Sequence, residues 1–299
     1  MRVVLKDIKQ SIYKSHQFRK YVNLNHLINH IIKEKVLRKY IYFKYHQKKR
    51  TLIRNSYNSN NLIYKLLGNN INPEQIRKIF FNKKLFPFSS NTNHKEITNY
   101  IKKNFSEELN TYLNVSDNVI NKKFPIFGKD FYSDNQIDWQ YSFFNNFKWK
   151  LERSEKLEIR PKNKKIDVKY VWELNRHQFL QYLGFAYYIT NKEEYAIEFK
   201  NNILNWIKTN PPLYGINWVS GLEISLRLIS WIFSLFFFKN SKNINNNKFF
   251  NKIFNSMLQH VCFLKYFYTR KSLNHTAGDI FGIYLFSKVF EELAPIKKI

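Results

Sequence analysis

Three short polar motifs interrupt the apolar helical patterning of residues 171–279, and each contains side chains that can bind an anion or move a proton. They read WELNRHQ at 172–178, INWVSGLE at 216–223 and SLNHTAGD at 272–279. Charged and amide side chains within apolar helices cost free energy unless they pair or take part in chemistry. Because one motif occurs in each successive helical hairpin, we expect the three to face one shared groove.

Asn274 and His275 stand side by side at the predicted start of the last helix, at about 275–292. An amide next to an imidazole can hold a carboxylate and move a proton, so the pair is a candidate catalytic element. The structural alternative makes Asn274 an N-cap, with Asp279 close enough to the helix start to be favoured by the helix dipole. The pattern alone leaves both interpretations open.

Arg176 lies among apolar and aromatic neighbours on a helix that the periodicity predicts over 172–189. At about 100° per residue it shares one stripe with Trp172 and Asn175, so it does not fall on the solvated face. It is either a structural arginine, stacked on Trp172 or paired with an acid, or a cation directed into a cleft.

The predicted helix at 218–238 is apolar over most of its circumference, which is typical of a helix buried between layers. Its polar residues form one narrow stripe: Ser220, Glu223, Arg227, Ser230 and Ser234. Glu223 and Arg227 are four residues apart in the favourable order, so the pattern predicts an ion pair between them. The stripe either faces a polar groove or only closes a helix surface.

The organisation of the chain follows from where helical periodicity begins. From residue 171 onward helices alternate with short loops, and a further one is predicted at 247–269, so the pattern indicates an array of antiparallel helical hairpins. Residues 116–165 show no sustained helical period and predict a long irregular or partly extended connection, of the kind that lines a binding cleft. Residues 1–115 predict several basic helices.

Composition restricts the class of partner. The 299 residues are 44% hydrophobic and 18% aromatic, which indicates a globular chain, and the seven glycines form neither a Rossmann fingerprint nor a P-loop. A formal net charge of +28 favours a polyanionic partner, although a codon bias that spreads lysine through the whole chain is the alternative explanation. No nucleic-acid motif accompanies the basic stretch at 44–50, so a nucleic-acid partner is disfavoured.

The sequence predicts neither a metal nor another cofactor. Cys262 is the only cysteine, in an apolar helical context that predicts a buried thiol, and His26 and His30 have no third ligand. The longest uncharged apolar run, 228–238, is too short to cross a bilayer. The N-terminus lacks the features of a secretory signal, so the chain as written is expected to be cytoplasmic.

Taken in order, the motifs at 172–178 and 217–223, Arg227 and the Asn274–His275 pair resemble the N-terminal toroid of heparinase II/III-type polysaccharide lyases. Phe127-Gly128 followed by Ile137-Asp138-Trp139 is similar to the first segment of that domain, and the resemblance covers about 124–290. It implies an all-α fold, in which an incomplete (α/α) toroid of antiparallel helical hairpins occupies 166–299. The basic helical region 1–115 and the connection 116–165 precede it.

The resemblance also implies an activity, the β-elimination of an anionic polysaccharide that contains uronic acid, as in heparinases and alginate lyases. Asn274 would contact the uronate carboxylate, and His275 would help to neutralise it or transfer a proton. The remaining substrate-binding residues expected from the resemblance are Arg176, Asn175, His177, Asn217, Trp218, Glu223 and Arg227. Relatives act on exported glycans, which makes the periplasm the alternative to the cytoplasm.

Two features of the family are not matched within the 299 residues. The family's catalytic tyrosine comes later in the toroid than Asn274–His275, and a β-sandwich domain follows the toroid. We therefore expect the front part of a lyase that is inactive alone, with a separately encoded β-sandwich half as a candidate partner. A non-catalytic toroid that binds saccharide or a partner chain is the alternative, and a basic nucleic-acid-binding module is the less favoured one.

Overall fold

The computed structural model describes residues 47, 72–86, 93–133, 136–161, 165–267 and 273–293. The chain divides into two compact units, residues 1–50 and 51–299, and every element below belongs to the second. The histidine pair at 26 and 30, and the basic stretch 44–50 apart from residue 47, lie outside the described residues. The domain boundaries expected near 115 and 165 stay predictions.

The described part of the second unit is mainly helical. Its helices are α1 (Pro73–Asn82), α2 (His94–Asn104), α3 (Ser106–Ile120), α4 (Lys169–Asn175), α5 (Leu180–Thr190), α6 (Glu193–Thr209), α7 (Gly221–Phe237), α8 (Asn247–Phe267) and α9 (Leu273–Val289). None of these helices is long and apolar enough to cross a membrane.

Helices α5, α7 and α9 form one row and run parallel to one another. Arg176, just before α5, bonds to Glu223 at the start of α7, whereas Gly184 within α5 faces Phe237 at the end of α7. Helices α6 and α8 connect the members of the row and pack behind it. The expected array of antiparallel hairpins is thus observed, and it brings the N-termini of α5, α7 and α9 to the same end.

Helices α7 and α9 approach closely because small residues line their contact. A Cβ atom at Gly282 of α9 would lie 3.1 Å from Cβ and 3.3 Å from Cα of Ser225 on α7, closer than side chains normally allow. The Ser225 hydroxyl donates to the carbonyl oxygen of Gly278 over 2.6 Å. Gly278 and Gly282 of α9 therefore allow the close spacing of these two helices.

The connection 116–165 contains more regular structure than the sequence predicts. α3 continues to Ile120, and β1 (Lys123–Ile126) pairs antiparallel with β2 (Lys129–Tyr132). The two residues between them, Phe127 and Gly128, have φ of 49° and 72°, which is the backbone of a tight two-residue hairpin loop. A second, two-residue pair follows, β3 (Tyr141–Ser142) with β4 (Phe147–Lys148).

The single helix expected over 172–189 is instead two helices, α4 and α5. The chain breaks between them at Arg176–Phe179, where His177 adopts a left-handed conformation with φ of 59°. Apolar periodicity continues across the break, which is why the sequence did not indicate it. Because of the break, Arg176 is not part of α5, and the residues before and after the break in the WELNRHQ motif have different neighbours.

Candidate functional site

An ion triad joins the first two motifs at the end of the row where α7 begins. Arg176 Nε donates to Glu223 Oε2 over 2.7 Å and Nη2 donates to Oε1 over 3.1 Å, while Nη1 donates to Glu173 Oε2. The Arg176 and Glu173 side chains are 20% and 18% exposed, and Glu223 only 5%. Burial alone would lower the pKa of Arg176, but Glu223 and Glu173 outweigh it and the pKa is raised.

This pairing differs from the predicted one. Glu223 was expected to pair with Arg227 along α7, but its carboxylate pairs with Arg176, which follows α4. An i,i+4 pair on a helix contributes only about 0.3–0.5 kcal/mol, so a two-bond contact from another element prevails over it. Arg227 therefore donates its hydrogen bonds to neutral acceptors.

The Arg227 guanidinium is fully buried and stacked 4.2 Å from the ring centroid of Trp206. It donates to three neutral acceptors: Nε2 of His260 at 2.9 Å, the carbonyl oxygen of Asn175 at 3.1 Å and that of Asn217 at 3.0 Å. Burial lowers its pKa to about 9, and the charge of Glu223 opposes that shift. At neutral pH it remains a cation that ties the end of α4 to the turn before α7.

Two buried histidines beside Arg227 are neutral. His260 Nδ1 lies 2.7 Å from the carbonyl oxygen of Ser256 and Nε2 accepts from Arg227, which fixes the tautomer with hydrogen on Nδ1. His177 Nδ1 accepts from Trp231 Nε1 over 2.8 Å. Burial, and then the charge of Arg227, lowers the pKa of both histidines well below 6.5.

A buried network of amides holds the connection against the helices. Asn175 Nδ2 donates to the carbonyl oxygen of Trp139 over 3.0 Å, and its Oδ1 accepts from Trp206 Nε1 over 2.8 Å. Asn217 Nδ2 donates to the same Trp139 carbonyl over 2.8 Å and to Asn210 Oδ1 over 2.9 Å. Residue 139 of the connection thus accepts from both the first and the second motif.

Asn274 and His275 are exposed in the first turn of α9, which begins at Leu273, so Asn274 is not the N-cap residue of this helix. One turn further on, Asp279 is fully buried, and a Cβ atom at Gly221 would lie 2.6 Å from Asp279 Oδ2. The Asp279 carboxylate therefore sits at the N-terminus of α7, where the helix dipole favours a negative charge. His275 precedes it by four residues and so lies on the same side of α9.

The structure brings only some of the predicted site residues to the surface at this end. Arg176 and Glu223 belong to the ion triad, and Asn274 and His275 lie on the adjacent helix. The Glu223 carboxylate of the triad is buried, and so are five others, which contact protein atoms: Asn175, His177, Asn217, Trp218 and Arg227. Their role in binding a substrate stays a prediction, whereas their contacts hold the first and second motifs in place.

Several residues of the same network were not singled out from the sequence. Glu173 stands inside the first motif, and its spacing of three residues from Arg176 was an available signal. His260 and Asn210 come from α8 and the loop after α6, and nothing local marks them. Among the described residues, no group of three or more His, Cys, Asp or Glu side chains could hold a metal ion.

Comparison with known proteins supports one family. The model of the heparinase II/III N-terminus matches residues 41–298. The heparan sulfate lyase HepC from Pedobacter heparinus superposes with a TM-score of 0.51 and 21% identity over 69% of this chain and 32% of that one. The heparinase III BT4657 gene product gives 0.53 and 16% over 79% and 38%. No curated protein matches the sequence.

These likenesses establish the fold. Because both solved structures contain the toroid of helical hairpins, the row of α5, α7 and α9 with α6 and α8 behind it is part of an (α/α) toroid, as the resemblance implied. The chain spans about a third of the length of the solved structures it matches, 32% and 38% for these two.

Proposed function

The chain belongs to the heparinase II/III family, and on that premise we propose that it binds an anionic polysaccharide containing uronic acid. The binding surface is the end of the toroid where α5, α7 and α9 begin. The single observation that carries the proposal is the parallel row itself, because it places Arg176 and Glu223 on one side of the α7 N-terminus and Asn274 and His275 on the other.

The electrostatics of this end suit a carboxylate at α9. Parallel helices bring their partial positive charges together at their N-termini, and unpaired N–H groups there favour anions. Asp279 already occupies the start of α7, so the first turn of α9, with Asn274 and His275 exposed, is the better position for a ligand carboxylate. The net charge of +28 adds long-range attraction for a polyanion.

The reaction that these groups would serve is β-elimination. A base removes the proton on the carbon that bears the uronate carboxylate, electrons move to form a carbon–carbon double bond, and the glycosidic oxygen leaves with a proton. The proton is weakly acidic because the neighbouring carboxylate is charged. Asn274 would hydrogen-bond that carboxylate, and His275 would neutralise it or transfer a proton.

The buried predicted residues support the site from behind. Arg227 donates to the carbonyl oxygens of Asn175 and Asn217, so it links the residue before Arg176 to the turn that precedes Glu223. We propose that Asn175, His177, Asn217, Trp218 and Arg227 act by holding this geometry.

Binding and elimination are tested separately. Titration with a hyaluronan or heparin oligosaccharide, monitored by tryptophan fluorescence, should show binding. Asn274→Ala and His275→Ala should each weaken that binding. Ala277→Ser, also exposed on α9, is the matched control and should bind like the parent. Elimination is followed by the ultraviolet absorbance of the unsaturated uronate product.

The outcomes separate the candidate functions. Binding with product formation supports a lyase, and binding without product supports the saccharide-binding toroid. Retention on heparin that disappears with salt but ignores Asn274→Ala would indicate non-specific polyanion binding and would contradict the proposed site.

A further inference from the structure

The Glu173–Arg176–Glu223 triad has a negative net charge in a strongly basic chain. Two carboxylates and one guanidinium sum to −1, whereas the whole chain carries +28. Three of the five N–H groups of Arg176 already donate to these carboxylates. An arginine in this state is not a free cation for a sulfate or a carboxylate.

The exposed edge of the triad offers donors and acceptors side by side. Within the part of the chain that the structure describes, two N–H groups of Arg176 and one oxygen of Glu173 make no hydrogen bond, and these two side chains are the partly exposed members. A pair of sugar hydroxyls both donates and accepts, so it can use all of these groups. A sulfate only accepts, so it would use Arg176 alone while two carboxylates repel it.

The neighbouring indole gives this edge an apolar side. Trp172 is half-buried, and its Nε1–H donates to the carbonyl oxygen of Ile216 over 3.1 Å, which holds the ring in a fixed orientation. A rigid aromatic surface beside paired donors and acceptors suits the amphipathic face of an uncharged sugar unit.

We propose that Glu173 determines specificity, by requiring that the sugar unit at the triad carry hydroxyl groups and neither sulfate nor carboxylate. The inference rests on the proposed function, because it places the uronate unit at Asn274 and His275 and the uncharged unit at the triad. The ligand taken by this surface therefore carries both an acidic sugar unit and a neutral one.

The test compares two oligosaccharides of equal length, one of alternating unsulfated glucuronic acid and N-acetylglucosamine, the other heparin. Glu173→Gln keeps the size of the side chain and removes its charge. We expect this substitution to lower the affinity for the unsulfated ligand by about threefold and to raise the affinity for heparin by about fivefold. Glu194→Gln, a 54% exposed acid on α6, makes the same charge change and should leave the ratio of the two affinities unaltered.

The results distinguish this inference from the proposed function. Binding that depends on Asn274, with a ratio that Glu173→Gln and Glu194→Gln shift equally, would overturn the role of Glu173 and leave the proposed function standing. The role of Glu173 would also be overturned if the unsubstituted chain bound heparin tenfold more tightly than the unsulfated ligand. If neither ligand binds, or if both bind and Asn274→Ala changes neither affinity, both the proposed function and this inference fail. Unfolding midpoints of the variants, matched to the parent, show that the comparison is made on folded protein.

Discussion

Arg227 donates its Nε–H to Nε2 of His260 across 2.9 Å, inside a core where both side chains have no exposed surface. A neutral imidazole can accept this bond, and a protonated one cannot, because both of its ring nitrogens then carry hydrogen. Protonation would also place a second positive charge against the guanidinium. The contact links a residue of α7 to one of α8 and makes the core sensitive to protonation.

Stability is therefore expected to fall in mild acid. The folded pKa values of His260 and His177 lie well below 6.5, so the unfolded chain binds protons below that pH that the folded chain does not. This proton uptake leaves the free energy of unfolding unchanged above about pH 6.5. Below that pH, each histidine lowers the free energy of unfolding by about 1.4 kcal/mol per pH unit. Urea unfolding between pH 7.5 and 5.5 measures the slope, which His260→Gln should reduce by about half. An unchanged slope in His260→Gln and His177→Gln would contradict this.

Replacing Arg227 by lysine should destabilise the fold despite the retained charge. An ammonium cannot reach the His260 nitrogen and two carbonyl oxygens at once, nor stack on Trp206 as a planar guanidinium does. We expect a loss of about 3–5 kcal/mol in the free energy of unfolding. Arg160→Lys, the same change at an exposed site, should stay within about 0.5 kcal/mol. Equal midpoints for the two variants would show that the buried contacts contribute little.

Gly282→Ala should push α9 away from α7. The new methyl group would meet the Cα and Cβ atoms of Ser225 at 3.3 and 3.1 Å, and overpacking of this kind costs about 1–3 kcal/mol. Because α9 carries Asn274 and His275, saccharide affinity should fall together with the melting temperature. Adding Ser225→Gly makes room and should recover part of both. If the double variant is no more stable than Gly282→Ala, the close approach is not what limits this contact.

Asn175→Asp should cost more than Asn175→Ala. The Asn175 Nδ2 group donates to two carbonyl oxygens, those of Trp139 and Val171 at 3.0 and 2.7 Å, and a carboxylate would oppose both. We expect about 3 kcal/mol of destabilisation at pH 7, measured by chemical unfolding. Asn201→Asp on the exposed face of α6 is the control, and it should be nearly neutral. The idea fails if aspartate is tolerated as well as alanine.

Local sequence determined where α7 and α8 lie and which segments carry the polar motifs. The apolar periodicity of α7 and α8 predicted their ranges to within a few residues, because a helix buried between layers must be apolar on most faces. The order of the three polar motifs was also enough to identify the family.

Tertiary structure decided which polar residues pair and which face solvent. Glu223 pairs with Arg176 and not with Arg227, because two hydrogen bonds from another element outweigh a weak contact along one helix. The break at His177, with φ of 59°, is held by the Trp231 bond and by surrounding rings, which come from distant residues. Spacing along the chain fixes the side of a helix on which a residue lies, but only the packing of other elements determines whether that side is buried.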